Sequence, residues 1–190
     1  MSVEECIKES IITKEKMLED ISIIKNIKEA SNAIIRAYKN GNKVMTAGNG
    51  GSTADAQHIA GELVGRFQKD RRALDAIALT NDMFVMTAVS NDFGFDRVFA
   101  RQIQAHGKKG DIFIGISTSG NSENIISALS EARLLGVVTI GLTGKNKCKM
   151  DEMCDYIIKV PSDRTPVIQE CHVMIGHIIC GIVENELFAD

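Results

Sequence analysis

Apolar and polar positions along the chain follow two different periods. Over residues 2–38, Ile7, Ile11, Ile12, Ile21, Ile24, Ile27, Ala30, Ala33, Ile34 and Ala37 recur at helical spacing among Lys and Glu, which predicts one long helix or two shorter ones. Five short apolar runs then follow, at residues 43–47, 74–79, 111–116, 137–142 and 156–160. Each is too short for a helix and lacks alternation, as expected of strands buried on both faces. Helices are predicted between them: from Ser52 or Thr53 as cap to about Phe67, from Asn81 through Val89, over 96–106, and from the turn at Ser117–Ser122 to about Leu135. A last helix starts with Thr165 as cap and Pro166 in its first position, and runs to about Leu187. Strands alternating with helices imply a parallel sheet covered on both faces through right-handed crossovers, a three-layer α/β/α domain.

The turns carry the chemistry. The first strand runs into Gly48-Asn-Gly-Gly-Ser52, and the third into Ser117-Thr-Ser-Gly-Asn-Ser122. Both follow strand ends, where open α/β sheets bind ligands, and they are expected to meet at one pocket. Glycines free the backbone for a tight turn, and backbone N–H groups, a helix N-terminus and several hydroxyls together hold a phosphate without a cation. Neither turn matches GxxxxGK[ST] or GxGxxG, which points away from nucleotides and towards a small phosphorylated metabolite. His58 and Glu62, four residues apart, share a helix face expected to lie next to the glycine turn. In the last helix Gln169-Glu-Cys-His-Val-Met-Ile-Gly-His177 breaks an apolar stretch with polar residues. Gln169 and His177 are about 80° apart around the axis but separated by a rise of roughly 12 Å. His106 and His172 are read as structural residues.

Composition narrows the field. The 190 residues carry 44% hydrophobic content and a net charge of −3, enough for one full core and no basic excess for nucleic acid. Neither a signal peptide nor an apolar run near the ~20 residues of a membrane span is recognised, so a cytoplasmic protein is expected. Five cysteines without a CxxC pair suggest reduced thiols rather than a disulfide frame or a thiolate zinc site.

The segments Gly48-Asn-Gly-Gly-Ser52, Ala54-Asp-Ala-Gln-His58, Glu62, Ser90-Asn-Asp-Phe-Gly-Phe95, Gly115-Ile-Ser-Thr-Ser-Gly-Asn-Ser122 and Ile168-Gln-Glu170 through His177 resemble, in the same order, those of the bacterial sedoheptulose 7-phosphate (phosphoheptose) isomerases of the sugar isomerase (SIS) domain superfamily. The resemblance implies a flavodoxin-like five-stranded sheet in a single SIS domain spanning 1–190, with residues 2–38 used in oligomerisation. It implies a homotetramer with active sites at subunit interfaces. The implied reaction is a Zn2+-assisted conversion of sedoheptulose 7-phosphate to D-glycero-D-manno-heptose 7-phosphate, which feeds nucleotide-activated heptose for lipopolysaccharide or capsule. Carried over by position, His58, Glu62, Gln169 and His177 are the implied zinc ligands, with Glu62 and His177 as the catalytic pair. Ser52, Ser117, Thr118, Ser119 and Ser122 are the implied phosphate and sugar contacts. Asn49, Gly50, Gly51, Asn91 and Asp92 complete the implied substrate pocket, to which Glu62 and Gln169 also belong. Thr53 and Gly61 depart from the usual alanines, with little functional effect expected.

Three other readings are open. A non-catalytic SIS-domain tetramer that binds a replication initiator commonly lacks the histidine and the acid found here at His177 and Glu62. A sugar-phosphate-sensing regulator domain would need an attached DNA-binding module. An isomerase of a different phosphosugar would share the same phosphate turn and proton-transfer pair.

Overall fold

The computed structural model describes residues 2–189. Two helices open the chain, α1 (Val3–Glu19) and α2 (Ile21–Lys39), so the predicted helical segment is broken in two. Asp20 makes the break: it leaves the helical region, and its carboxylate caps α2 by accepting from the N–H groups of Ser22 and Ile23. Next come β1 (Val44–Gly48), α3 (Gly51–Val64), β2 (Ala76–Ala78), α4 (Met83–Phe93), α5 (Val98–His106), β3 (Ile112–Ile116), α6 (Glu123–Leu134), β4 (Val138–Gly144), β5 (Tyr156–Val160) and α7 (Thr165–Leu187). Short 3-10 turns at Phe95–Arg97 and Lys149–Glu152 complete the order.

The five strands form one parallel sheet in the order β2-β1-β3-β4-β5, the flavodoxin-like arrangement, with the order reversing between β1 and β3. Side chains of alternate strand residues feed two cores. Val44, Ile112, Ile114 and Ile140 pack with α2, α3 and α7 on one face; Met45, Phe113 and Leu79 pack with α5 and α6 on the other. Every residue of β1 and β3 is buried, which is why those runs read as continuous apolar segments.

Several predicted boundaries move. Neither Ser52 nor Thr53 caps α3; the cap is Gly50, at φ +57°, and both hydroxyl residues already lie in the first turn. Thr53 turns its hydroxyl back to the Gly48 carbonyl, 2.9 Å away. The helix ends at Val64 rather than near Phe67. The cap of α4 is Asp82, not Asn81, and that helix continues through Ser90-Asn-Asp-Phe93 until Gly94 turns the backbone to φ +94°. Arg164, not Thr165, precedes α7, with Pro166 in its first turn. The described part of α7 is also long and apolar enough, by length and composition, to cross a membrane. It is half buried, against α2 and α3, as the central helix of one core.

The loop between α3 and β2 is held by a buried ion pair. Arg71 Nε lies 2.9 Å from Glu184 Oε1, and both side chains are 2% exposed. Burial alone would push the Glu184 carboxyl up, but the N–H groups of Phe67, Gln68 and Lys69 and the Arg71 guanidinium outweigh it and bring the group down to about 2, from an ordinary 4.5. A carboxyl depressed on folding stabilises the protein fully above its unfolded value and loses that contribution as pH falls towards its folded value. The Glu184 contribution is therefore complete above about pH 4.5 and fades towards pH 2. Thermal midpoints measured across this range are expected to fall less steeply in Glu184→Gln than in the parent.

Candidate active site

The two small-residue turns lie side by side at the carboxyl ends of β1 and β3, next to the point where the strand order reverses. A reciprocal amide pair joins them. Asn49 Nδ2 donates to Asn124 Oδ1 and Asn124 Nδ2 to Asn49 Oδ1, each at 2.8 Å. Asn124, in the first turn of α6, was not singled out from the sequence; the signal was a polar side chain that α6 buries in its apolar face.

In the second turn, the Ser117 hydroxyl lies 2.9 Å from that of Ser122 and 3.4 Å from that of Ser119. Ser119 Oγ also accepts from the N–H of Asn121. Gly120, at φ +65°, lets this loop fold over Cys148, where any side chain would collide with the sulfur. The result is a ring of hydroxyls at the N-terminus of α6, whose partial positive charge favours an anion. Ser117 is buried, Thr118 and Ser122 are partly buried, and Ser119 is exposed.

A cavity of about 670 Å³ opens beside the glycine turn, with Asn49, Gly50, Ser90, Asn91, Phe95 and Phe99 in its wall. Asn91 donates to the Asp92 carboxylate at 2.9 Å. The hydroxyls of the second turn are not part of this wall, so the two turns are tied together without sharing one cavity in a single chain.

The titratable residues gather elsewhere. Helices α3 and α7 run side by side in the same direction, with Gly51 against Gln169 and Ile59 against Gly176. Gly176 sets their separation, since a Cβ there would lie 2.8 Å from Ile59 Cγ1. At this close approach His177 Nε2 comes within 3.1 Å of His58 Nε2, and His58 Nε2 within 3.1 Å of Glu62 Oε1. The two imidazoles meet edge to face, and Phe67 stacks on His177 with ring centres 5.6 Å apart. Asp55, one turn before His58, is buried; burial pushes its carboxyl up, with His58 opposing the shift.

His58, Glu62 and His177 offer three donor atoms within 4.8 Å of one another. Bonds of about 2.0–2.2 Å around a tetrahedral zinc ion separate neighbouring donors by about 3.3–3.6 Å, and His58 Nε2 stands 3.1 Å from each of the other two donors. Two imidazole nitrogens and a carboxylate oxygen also form a common donor set for a catalytic zinc site. Gln169 stands apart: its amide lies against Gly51, the first residue of α3. His58 and Glu62 are likewise not next to the glycine turn, because seven residues of α3 separate Gly51 from His58, a rise of roughly 10 Å. One chain thus brings together the three candidate metal ligands and, separately, the two small-residue turns with Gln169. His172 is fully buried, its ring facing the Thr143 carbonyl, and burial lowers its pKa to about 4, in keeping with a structural role. Cys171 is a buried core residue, its thiol raised to about 11 by burial.

Comparison with known proteins agrees with this architecture. Residues 13–144 match the SIS domain family. The chain is 58% identical over 180 residues to phosphoheptose isomerase 2 of Campylobacter jejuni, covering 95% of this chain and 90% of that one. It is 53% identical over 182 residues to the phosphoheptose isomerase of Aneurinibacillus thermoaerophilus, covering 96% and 92%. The solved structure of a phosphoheptose isomerase from Francisella tularensis superposes with a TM-score of 0.92 at 38% identity, covering 96% of each chain.

Proposed function

We propose, for a chain that belongs to the SIS-domain family and within it to the phosphoheptose isomerases, that it interconverts sedoheptulose 7-phosphate and D-glycero-D-manno-heptose 7-phosphate. The observation that carries this reading is the convergence of Glu62, His58 and His177 on the α3–α7 seam of a chain so similar to named isomerases. The product suits the supply of activated heptose to lipopolysaccharide or capsule. A reduced, cytoplasmic setting fits a protein with buried free thiols and a phosphorylated substrate.

Aldose–ketose isomerisation moves a proton between C1 and C2 through an enediolate, and needs a base at carbon and an acid serving the two oxygens. Glu62 is the base. Its Oε1 is directed at His58, which leaves the other carboxylate oxygen to take the C1 proton of the ketose and, after partial exchange with solvent, to deliver a proton at C2. His177 moves the proton between the oxygens, its ring held in plane by Phe67. His58, Glu62 and His177 would hold Zn2+, which supplies positive charge to stabilise developing negative charge on oxygen. The phosphate sits on the hydroxyls of Ser117, Thr118, Ser119 and Ser122 and on Ser52, with Asn49, Gly50, Gly51, Asn91 and Asp92 around the sugar.

A second copy completes this site. Within one chain, Gln169 and the glycine turn lie about two helical turns from the trio along α7 and α3, and none of the trio lines the cavity beside that turn. Exposed Ile7, Ile11 and Leu18 on α1, with Val64 on α3 and Ile178 on α7 beside the trio, provide apolar surface for such packing. A homotetramer with sites between subunits, using residues 2–38 for assembly and bringing Gln169 of one copy to the metal of another, meets this requirement. Glu62→Gln and Ser117→Ala subunits, each inactive alone, are therefore expected to regain activity when unfolded and reassembled together, because some mixed sites carry both native residues. Absence of recovery in mixed oligomers verified by mass would place the whole site in one subunit.

The function itself is tested by incubating the purified protein with sedoheptulose 7-phosphate and following aldose phosphate by NMR, with added zinc and after chelation. Turnover weakened by chelation and restored by zinc is the expected result. Turnover indifferent to chelation removes the metal from the mechanism, and no turnover with any metal points to another phosphosugar or to a binding protein.

A further inference from the structure

The buried Arg71–Glu184 pair does more than close a loop. Arg71 ends α3 as a C-terminal cap, with Nη2 donating to the carbonyl of Glu62 at 2.8 Å and Nη1 to that of Leu63 at 3.0 Å. These are among the last carbonyls of a helix, which lack partners within it. The guanidinium thus grips the backbone of the residue read as the base. Its partner Glu184 lies on α7, seven residues and about 10 Å beyond His177. The Glu184 carboxylate gathers the N–H groups of Phe67, Gln68 and Lys69 at 3.0, 2.7 and 2.9 Å, fixing the segment whose Phe67 ring stacks on His177. One ion pair, 2% exposed on either side, therefore sets both the backbone under Glu62 and the ring against His177.

We infer that Arg71 and Glu184 are positioning residues for the Glu62–His177 pair, acting through the α3 C-terminus and the Phe67 ring. This rests on the reading of those two residues as the proton-transfer pair. The phosphate and sugar contacts lie on the turns after β1 and β3, clamped by Asn49 and Asn124, and at the end of α4, so loosening the 65–72 loop leaves them in place. The signature is a loss in kcat with KM held, as for an interaction that matters in the transition state alone.

The test compares Glu184→Gln, Arg71→Lys and Phe67→Leu with the parent. Glutamine keeps the shape of Glu184 but presents an amide N–H2 where an acceptor is needed. Lysine keeps the charge of Arg71 but not the fork that spans two carbonyls. Phe67→Leu leaves the ion pair intact, so it reports on the stacking even if the buried-charge variants fail to fold. Each folded variant is expected to lose about 10- to 100-fold in kcat, with KM within about twofold. The imidazole signals of His177, read by NMR on histidine-labelled protein, are expected to shift in all three as the Phe67 ring current is lost or displaced. Folded variants that keep parental kcat, or leave the His177 signals unmoved, overturn the inference. If the parent turns over no sedoheptulose 7-phosphate and the His177 signals still shift in Glu184→Gln, the isomerase reading fails and the positioning stands.

Discussion

Glu62→Gln is expected to lower kcat by about 10³-fold, the range seen when a positioned general base is removed. Glutamine matches the size of Glu62 and can still face His58, but its amide takes no proton from carbon. Nothing in the core depends on the carboxylate: Glu62 is partly exposed at the α3–α7 seam, and its backbone carbonyl, not its side chain, receives Arg71. Elution volume and thermal midpoint are therefore expected to stay close to the parent's while turnover collapses. Near-normal turnover in Glu62→Gln would remove this residue from proton transfer.

His177→Ala is expected to do comparable damage by a different route. It removes one of the three converging donor atoms and the group proposed to serve the substrate oxygens. Zinc content per subunit should fall along with kcat, and added zinc should restore little activity. His58→Ala provides the contrast: zinc content falls there too, while Glu62 and His177 both remain. If His177→Ala retained full zinc and parental kcat, both roles assigned to it would be lost.

Much of this was legible in the sequence for definite physical reasons. The strands announced themselves because β1 and β3 are buried on both faces and tolerate nothing but apolar or small residues. His58 and Glu62 could be paired from spacing alone, since four residues bring side chains to one helix face. Their meeting with His177 depended on two helices packing in parallel across a glycine, which no local pattern reveals. Helix ends were the weak point. Ser52 and Thr53 look like caps, but the turn after β1 passes through a positive φ at Gly50, which a glycine adopts without strain, and the helix begins directly after it. Ser90-Asn-Asp-Phe93 reads as a turn by composition, yet it finishes α4 because its polar side chains face solvent and the cavity. Arg71 was hidden in the run Gln68-Lys-Asp-Arg-Arg72, where a charged loop is ordinarily solvated. Its partner gave the clue that was passed over: Glu184 is an acid on the buried side of an apolar helix, and such a group needs a cation and backbone donors.

Proton transfer through Glu62 is tested most directly by running the reaction in D2O and reading both sugar phosphates by NMR. Deuterium should appear at C2 of the aldose phosphate, and at C1 of the remaining ketose as the reaction reverses, because a carboxylate that holds the proton exchanges it with solvent. In Glu62→Gln, turnover and exchange should fall together by about 10³-fold. Turnover or exchange that persists at the parental level in Glu62→Gln would contradict an enediolate mechanism with Glu62 as its base.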